Sequence, residues 1–94
     1  MKIPKKLKIG GHTYEVRLVD DGEALFLDGE GAISRDTHII EINSRYPQSE
    51  KEATLLHEIF HALNATFDEG TNHMLVESLS QQLYQVLKDN KMLR

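Results

Sequence analysis

Apolar residues alternate with polar ones through the first half of this chain and recur every three or four positions through the second, a switch from a strand period to a helix period. Leu7 and Ile9 alternate up to Gly10-Gly11, and Tyr14, Val16 and Leu18 alternate after it, which predicts a hairpin closed by a two-residue turn. The stretch from Asp20 to Gly31 is mostly polar, interrupted by Leu25, Phe26 and Leu27, and reads as a loop or a short irregular strand. A second hairpin is predicted with Gly31 to Arg35 and His38 to Asn43 as strands and Asp36-Thr37 as the turn.

The helical half opens at Ser49, which with Glu52 has the form of a capping box. The helix is expected to run to about Thr66 and close near Gly70, with Ala53, Leu56, Phe60, Leu63 and Phe67 as its buried stripe. A second helix is expected from about Asn72 to Asp89, with Val76, Leu79, Leu83, Val86 and Leu87 facing the core. Four strands of antiparallel sheet followed by two helices give an α+β fold. The reading is one domain over residues 1–94, with the sheet in 1–46 and the helices in 47–94. No repeat, low-complexity tract or linker divides it, and 94 residues support a single modest core.

The first helix carries the chemistry. In His57-Glu58-Ile59-Phe60-His61 two imidazoles stand four residues apart, so they share one helix face with a carboxylate beside them. Two such imidazoles can reach a single Zn²⁺ at roughly 2.0–2.1 Å, and a third protein ligand leaves one tetrahedral position open for water. Glu58 is then placed as the general base for hydrolysis of a peptide or other amide bond. Glu77, on the second helix, is the leading candidate for the third ligand, with Asp68 a rival near the expected end of the first helix. A metzincin would need His or Asp six residues after His61 with Gly three after it, but Phe67 and Asn64 occupy those positions. His12 and His38 both fall in strand patterns and read as residues of the sheet surface.

Charge and composition narrow the partners. The net charge is −4, and four of the eleven basic residues lie in the first eight positions, leaving seven against fifteen acidic groups elsewhere. Such a surface disfavours nucleic acid, whose phosphates need clustered Lys and Arg. The absence of cysteine excludes disulfides and thiolate metal sites and suits a cytoplasmic protein. The basic start, Met1-Lys2-Ile3-Pro4-Lys5-Lys6, is followed by no apolar stretch of signal-peptide type. No run of about 18 apolar residues occurs, so neither secretion nor a membrane partner is expected. Nothing in the pattern demands more than a monomer.

HEIFHALN followed by LVESLSQQLYQVLKDN resembles the short gluzincins found as phage-associated and ImmA/IrrE-like metallopeptidase domains, which pair HExxH with a glutamate on the next helix. The likeness covers about the last 45 residues, with weaker agreement in GAIS and THIIEIN. It implies a zincin-like fold and a zinc metallopeptidase that binds one Zn²⁺ per chain on His57, His61 and Glu77, with Glu58 as base and a peptide or protein as substrate. His73 and Tyr84 are the candidates for stabilising the oxyanion. By analogy with zincins, Gly31, Ala32 and Ile33 belong to an edge strand on which an extended substrate would lie. The alternative is a zinc-binding regulatory or interaction module of phage or mobile-element origin with little or no protease activity.

Overall fold

The computed structural model describes residues 2–20, 22–24, 29–63 and 73–92, and of residues 73–80 the backbone alone. The elements run β1 (Lys6–Ile9), β2 (His12–Val19), β3 (Gly31–Ser34), β4 (Ile39–Asn43), α1 (Gln48–Leu63) and α2 (His73–Asp89). Gly10 and Gly11 take φ of +58° and +84° between the paired residues Ile9 and His12, the backbone that a tight two-residue hairpin requires. Tyr14 and Val16 are buried as the alternation predicts. The pattern then breaks, with Leu18 48% exposed and Val19 buried in its place.

The fold is α+β, but the sheet is mixed rather than antiparallel throughout. Its strand order is β1-β2-β4-β3, with β1–β2 and β3–β4 antiparallel and β2–β4 parallel, in register Val16↔Ile40 and Leu18↔Ile42. After β2 the chain crosses to the far edge to form β3. The return strand β4 then fills the space beside β2 and must run in the same direction as it. β4 suits the interior, because Ile40, Glu41, Ile42 and Asn43 are all buried whichever face they point to. The second turn is also longer than expected. Ser34 pairs with Ile39, so Arg35 to His38 form the turn, with Thr37 Oγ1 2.7 Å from Ser34 Oγ and His38 at φ +57°.

Both helices pack on one face of the sheet around Leu7, Ile9, Tyr14, Val16, Ile40, Ile42, Leu55, Ile59 and Val86. α1 begins one residue before the expected cap. The Lys51 N–H donates to the Pro47 carbonyl at 3.0 Å, which puts Ser49 inside the first turn rather than at the cap, and Glu52 accepts from Gln48 Nε2 at 3.1 Å. The expected continuation of α1 to Thr66, its closure at Gly70, and Phe67 and Asp68 lie outside the described residues, as do Leu25, Phe26 and Leu27. Among the described residues no helix is long and apolar enough to cross a membrane.

α2 ends where expected, and its end is tied to the sheet. The Asn90 side chain accepts from the Lys8 N–H at 2.9 Å and donates to the Lys8 carbonyl at 3.1 Å, covering the outward backbone groups of Lys8 on edge strand β1. The same amide donates to the Val86 carbonyl at 2.8 Å. Met92 N–H donates to the Leu87 carbonyl and Lys91 N–H to the Lys88 carbonyl, a Schellman pair that places Lys91 at φ +58°. A side chain in that conformation is strained where glycine is not. Lys91→Gly is therefore expected to raise unfolding stability by about 0.5–1 kcal/mol, measured by urea denaturation, whereas Asn90→Ala should lower it by about 1–2 kcal/mol.

Candidate metal centre

Which face α1 turns to the sheet decides the site. The fully buried line is Leu55 and Ile59, flanked by buried Thr54 and Glu58, while Ala53 is exposed and Leu56, Phe60 and Leu63 are half-buried. The expected stripe of Ala53, Leu56 and Phe60 is thus rotated by about one position. The rotation moves Glu58 into the seam between helix and sheet, where it is 5% exposed. His57 stays exposed and His61 half-buried.

His57 Nε2 and His61 Nε2 approach to 2.9 Å, with ring centroids 4.6 Å apart and planes at 74°. Two nitrogens bound to one tetrahedral zinc at 2.0–2.1 Å would stand about 3.3 Å apart, so this pair fits a shared cation with a shift of a few tenths of an ångström. Two neutral imidazoles can also hold this distance through an N–H···N hydrogen bond. The Arg35 guanidinium donates to the His61 carbonyl and ties the β3–β4 turn to the end of the helix.

Beside the pair is a cleft of about 290 Å³ lined by Glu30, Gly31, Ala53, Thr54, His57 and Glu58. Its wall is the start of β3, which sits so close to α1 that a Cβ on Gly31 would overlap Thr54 Cγ2 and stand 3.3 Å from Glu58 Oε2 and 3.2 Å from the Glu41 carbonyl oxygen. Thr54 Oγ1 donates to Glu30 Oε2 at 3.3 Å. Ala32 and Ile33 lie further along β3, in a second depression with Ser34, Arg35 and Asp36. On its outer side β3 pairs with no strand among the described residues.

His57, Glu58, His61 and Gly31 therefore come together. Glu77 and His73 are on α2, but their side chains lie outside the described part. Tyr84 is 57% exposed. Among the described residues no group of three or more His, Asp or Glu is placed to hold a metal ion. Glu30, Thr54 and Arg35 were missed by the sequence reading. Thr54 could have been found, because it precedes Glu58 by four and so shares its face. Glu30 and Arg35 reach the site only through the strand order.

The other two imidazoles form a separate group. His38 belongs to the turn rather than to a strand, and its ring lies 4.6 Å from that of His12 and 4.9 Å from that of Tyr14. Burial raises the Tyr14 pKa above its ordinary value of 10.0, opposed in part by the Arg35 charge.

No protein-family model, curated protein or solved structure matches the chain.

Gly31→Ala is expected to cost about 1–3 kcal/mol in urea denaturation through the clash with Thr54. Adding Thr54→Ser, which removes Cγ2 and keeps the hydroxyl, should recover part of that loss; no recovery would show that the methyl is not the obstacle. The neutral Tyr14 is the form favoured by the fold. The Tyr14 contribution to stability should accordingly be fully present below about pH 10 and be lost as pH rises through the higher folded-state value, so that the alkaline decline in urea-denaturation stability is weaker in Tyr14→Phe.

Proposed function

We propose that the chain is a zinc-dependent metallopeptidase of the minimal gluzincin type, with His57, His61 and Glu77 as metal ligands and Glu58 as general base. The observation that carries this reading is the convergence of His57 Nε2 and His61 Nε2 to 2.9 Å beside a cleft that Glu58 lines. The α+β order of a sheet followed by two helices, with β3 at a sheet edge, is compatible with a zincin-like fold. The resemblance of HEIFHALN and LVESLSQQLYQVLKDN to ImmA/IrrE-like domains points the same way.

When bound, zinc would supply Lewis-acid polarisation that brings the pKa of a water toward about 7. The protein's own groups do the rest. A carboxylate oxygen of Glu58 takes the proton of the attacking water and later delivers it to the leaving amine. Burial in the seam holds that carboxylate in one place, and His57, whose ring meets that of His61, lines the same cleft. An extended peptide laid along Gly31, Ala32 and Ile33 would add to the outer edge of β3 and bring its backbone past Glu58. His73 and Tyr84 remain the candidates for donating to the oxyanion. Glu58 in the cleft favours catalysis over a module that only binds zinc, because a structural zinc site has no use for a base at its open side.

The test is metal content together with peptide cleavage. One zinc per chain is expected, weakened or lost in His57→Ala, His61→Ala and Glu77→Ala, with a higher melting temperature when zinc is bound. Glu58→Gln should keep the metal and lose hydrolysis by about 10²–10⁴-fold. A chain that takes up no zinc overturns the proposal. Zinc binding with no cleavage of a peptide library, unchanged by Glu58→Gln, would instead establish the regulatory module.

A further inference from the structure

We propose that Glu30 makes the cleft selective for a peptide carrying a positively charged side chain, Lys or Arg, next to the bond offered to Glu58; that such a peptide is cleaved rests on the peptidase reading, while the recognition itself does not. Among the described residues the cleft walls contain two carboxylates, Glu30 and Glu58, together with His57, Thr54 and the small residues Gly31 and Ala53, and no Lys or Arg. Glu58 is buried in the seam, so the carboxylate open to solvent is that of Glu30.

Glu30 is held in position from several sides. Its carbonyl accepts from the Asn43 N–H at 2.8 Å, and the carbonyl of the preceding Gly29 accepts from Asn43 Nδ2 at 3.1 Å. Asn43 is itself buried at the end of central strand β4, so the backbone under Glu30 is anchored to the middle of the sheet. The Thr54 hydroxyl, on a buried residue, donates to the carboxylate at Oε2, while Glu30 itself is exposed. No Lys or Arg among the described residues forms an ion pair with it. A volume of about 290 Å³ accommodates one long side chain, and a cation there would meet a preplaced anion on a chain of net charge −4. An acidic peptide side chain would meet repulsion from the same group.

The experiment uses the full chain in a Glu58→Gln background, which removes cleavage under the proposed mechanism. Fluorescence polarisation follows binding of labelled alanine-rich decapeptides that differ only in carrying Lys, norleucine or Glu at each internal position in turn. The best Lys peptide is expected to bind about three- to fivefold more tightly than its norleucine counterpart at about 50 mM salt, with the advantage shrinking at about 500 mM. Adding Glu30→Gln, which keeps an acceptor for Thr54, should remove the advantage, and Glu30→Lys should turn it toward the Glu peptide; circular dichroism checks that each variant is folded. Equal binding of Lys and norleucine peptides, a Lys advantage that survives Glu30→Gln, or no binding of any peptide overturns the proposal. The same peptides are offered to the zinc-loaded native chain. Cleavage without a Lys preference would sink the role of Glu30 and leave the peptidase standing, whereas a Glu30-dependent binding preference without any cleavage would remove the peptidase and leave the recognition.

Discussion

The contact between α1 and the first residue of β3 is the constraint on which the rest of the molecule depends. Gly31 has no side chain, and that lets the strand backbone come against Thr54 and Glu58. Leu55 and Ile59 share the same helix and are fully buried in the core with Ile40 and Ile42. Pushing the strand and helix apart by one methyl group would therefore disturb the core and the cleft together, because close-packed interiors pass such displacements on. Burying a carboxylate in that seam is costly unless its hydrogen-bonding capacity is met. Among the described residues no buried side-chain nitrogen or oxygen lacks a hydrogen-bond partner, and Glu58 fits that pattern.

What could be read directly from the chain was local. Gly10-Gly11 between alternating strands announced a hairpin, and the structure has it with the turn at those two residues. The second helix begins within one residue of its expected start and ends at Asp89 as expected. The strand order was not legible, since nothing within β2 or β4 alone reveals that they pair side by side in parallel. That pairing follows from where the crossover between them places β3, a property of the whole chain. The buried face of α1 was also ambiguous. Leu56 and Phe60 recur at helical spacing as well as Leu55 and Ile59 do, and periodicity cannot choose between two overlapping stripes. Only the position of the sheet decides it.

The same division runs through the candidate site. His57, Glu58 and His61 sit within five consecutive residues, so helical geometry alone brings the two imidazoles together. Glu30 is 24 positions from its partner Thr54 and enters the cleft only because β3 lies at the edge nearest the helix. Arg35 is likewise 26 positions from the His61 carbonyl that it binds. Long-range residues of this kind carry no signal in spacing. Their roles become visible once the strand order is known, which is why a short motif locates a centre more readily than it describes the surface around it.

The two edges of the sheet are treated differently, and the difference bears on how so small a domain could handle a peptide. An edge strand with unpaired backbone groups invites pairing with another chain, so exposed edges are commonly blunted. At β1 this is done by Asn90, whose amide takes both outward groups of Lys8 as a neighbouring strand would. At β3 the described residues place no strand on the outer side, and the strand is only four residues long, which limits how much foreign chain it can capture. Under the proposed function this asymmetry has a physical reason. Capping Lys8 on β1 leaves β3 as the more open edge along which an extended segment can lie, and the segment then runs past Gly31 toward Glu58. With backbone pairing limited to so few residues, discrimination among peptides would fall to the side-chain groups at the cleft wall, of which, among the described residues, Glu30 supplies the carboxylate facing solvent.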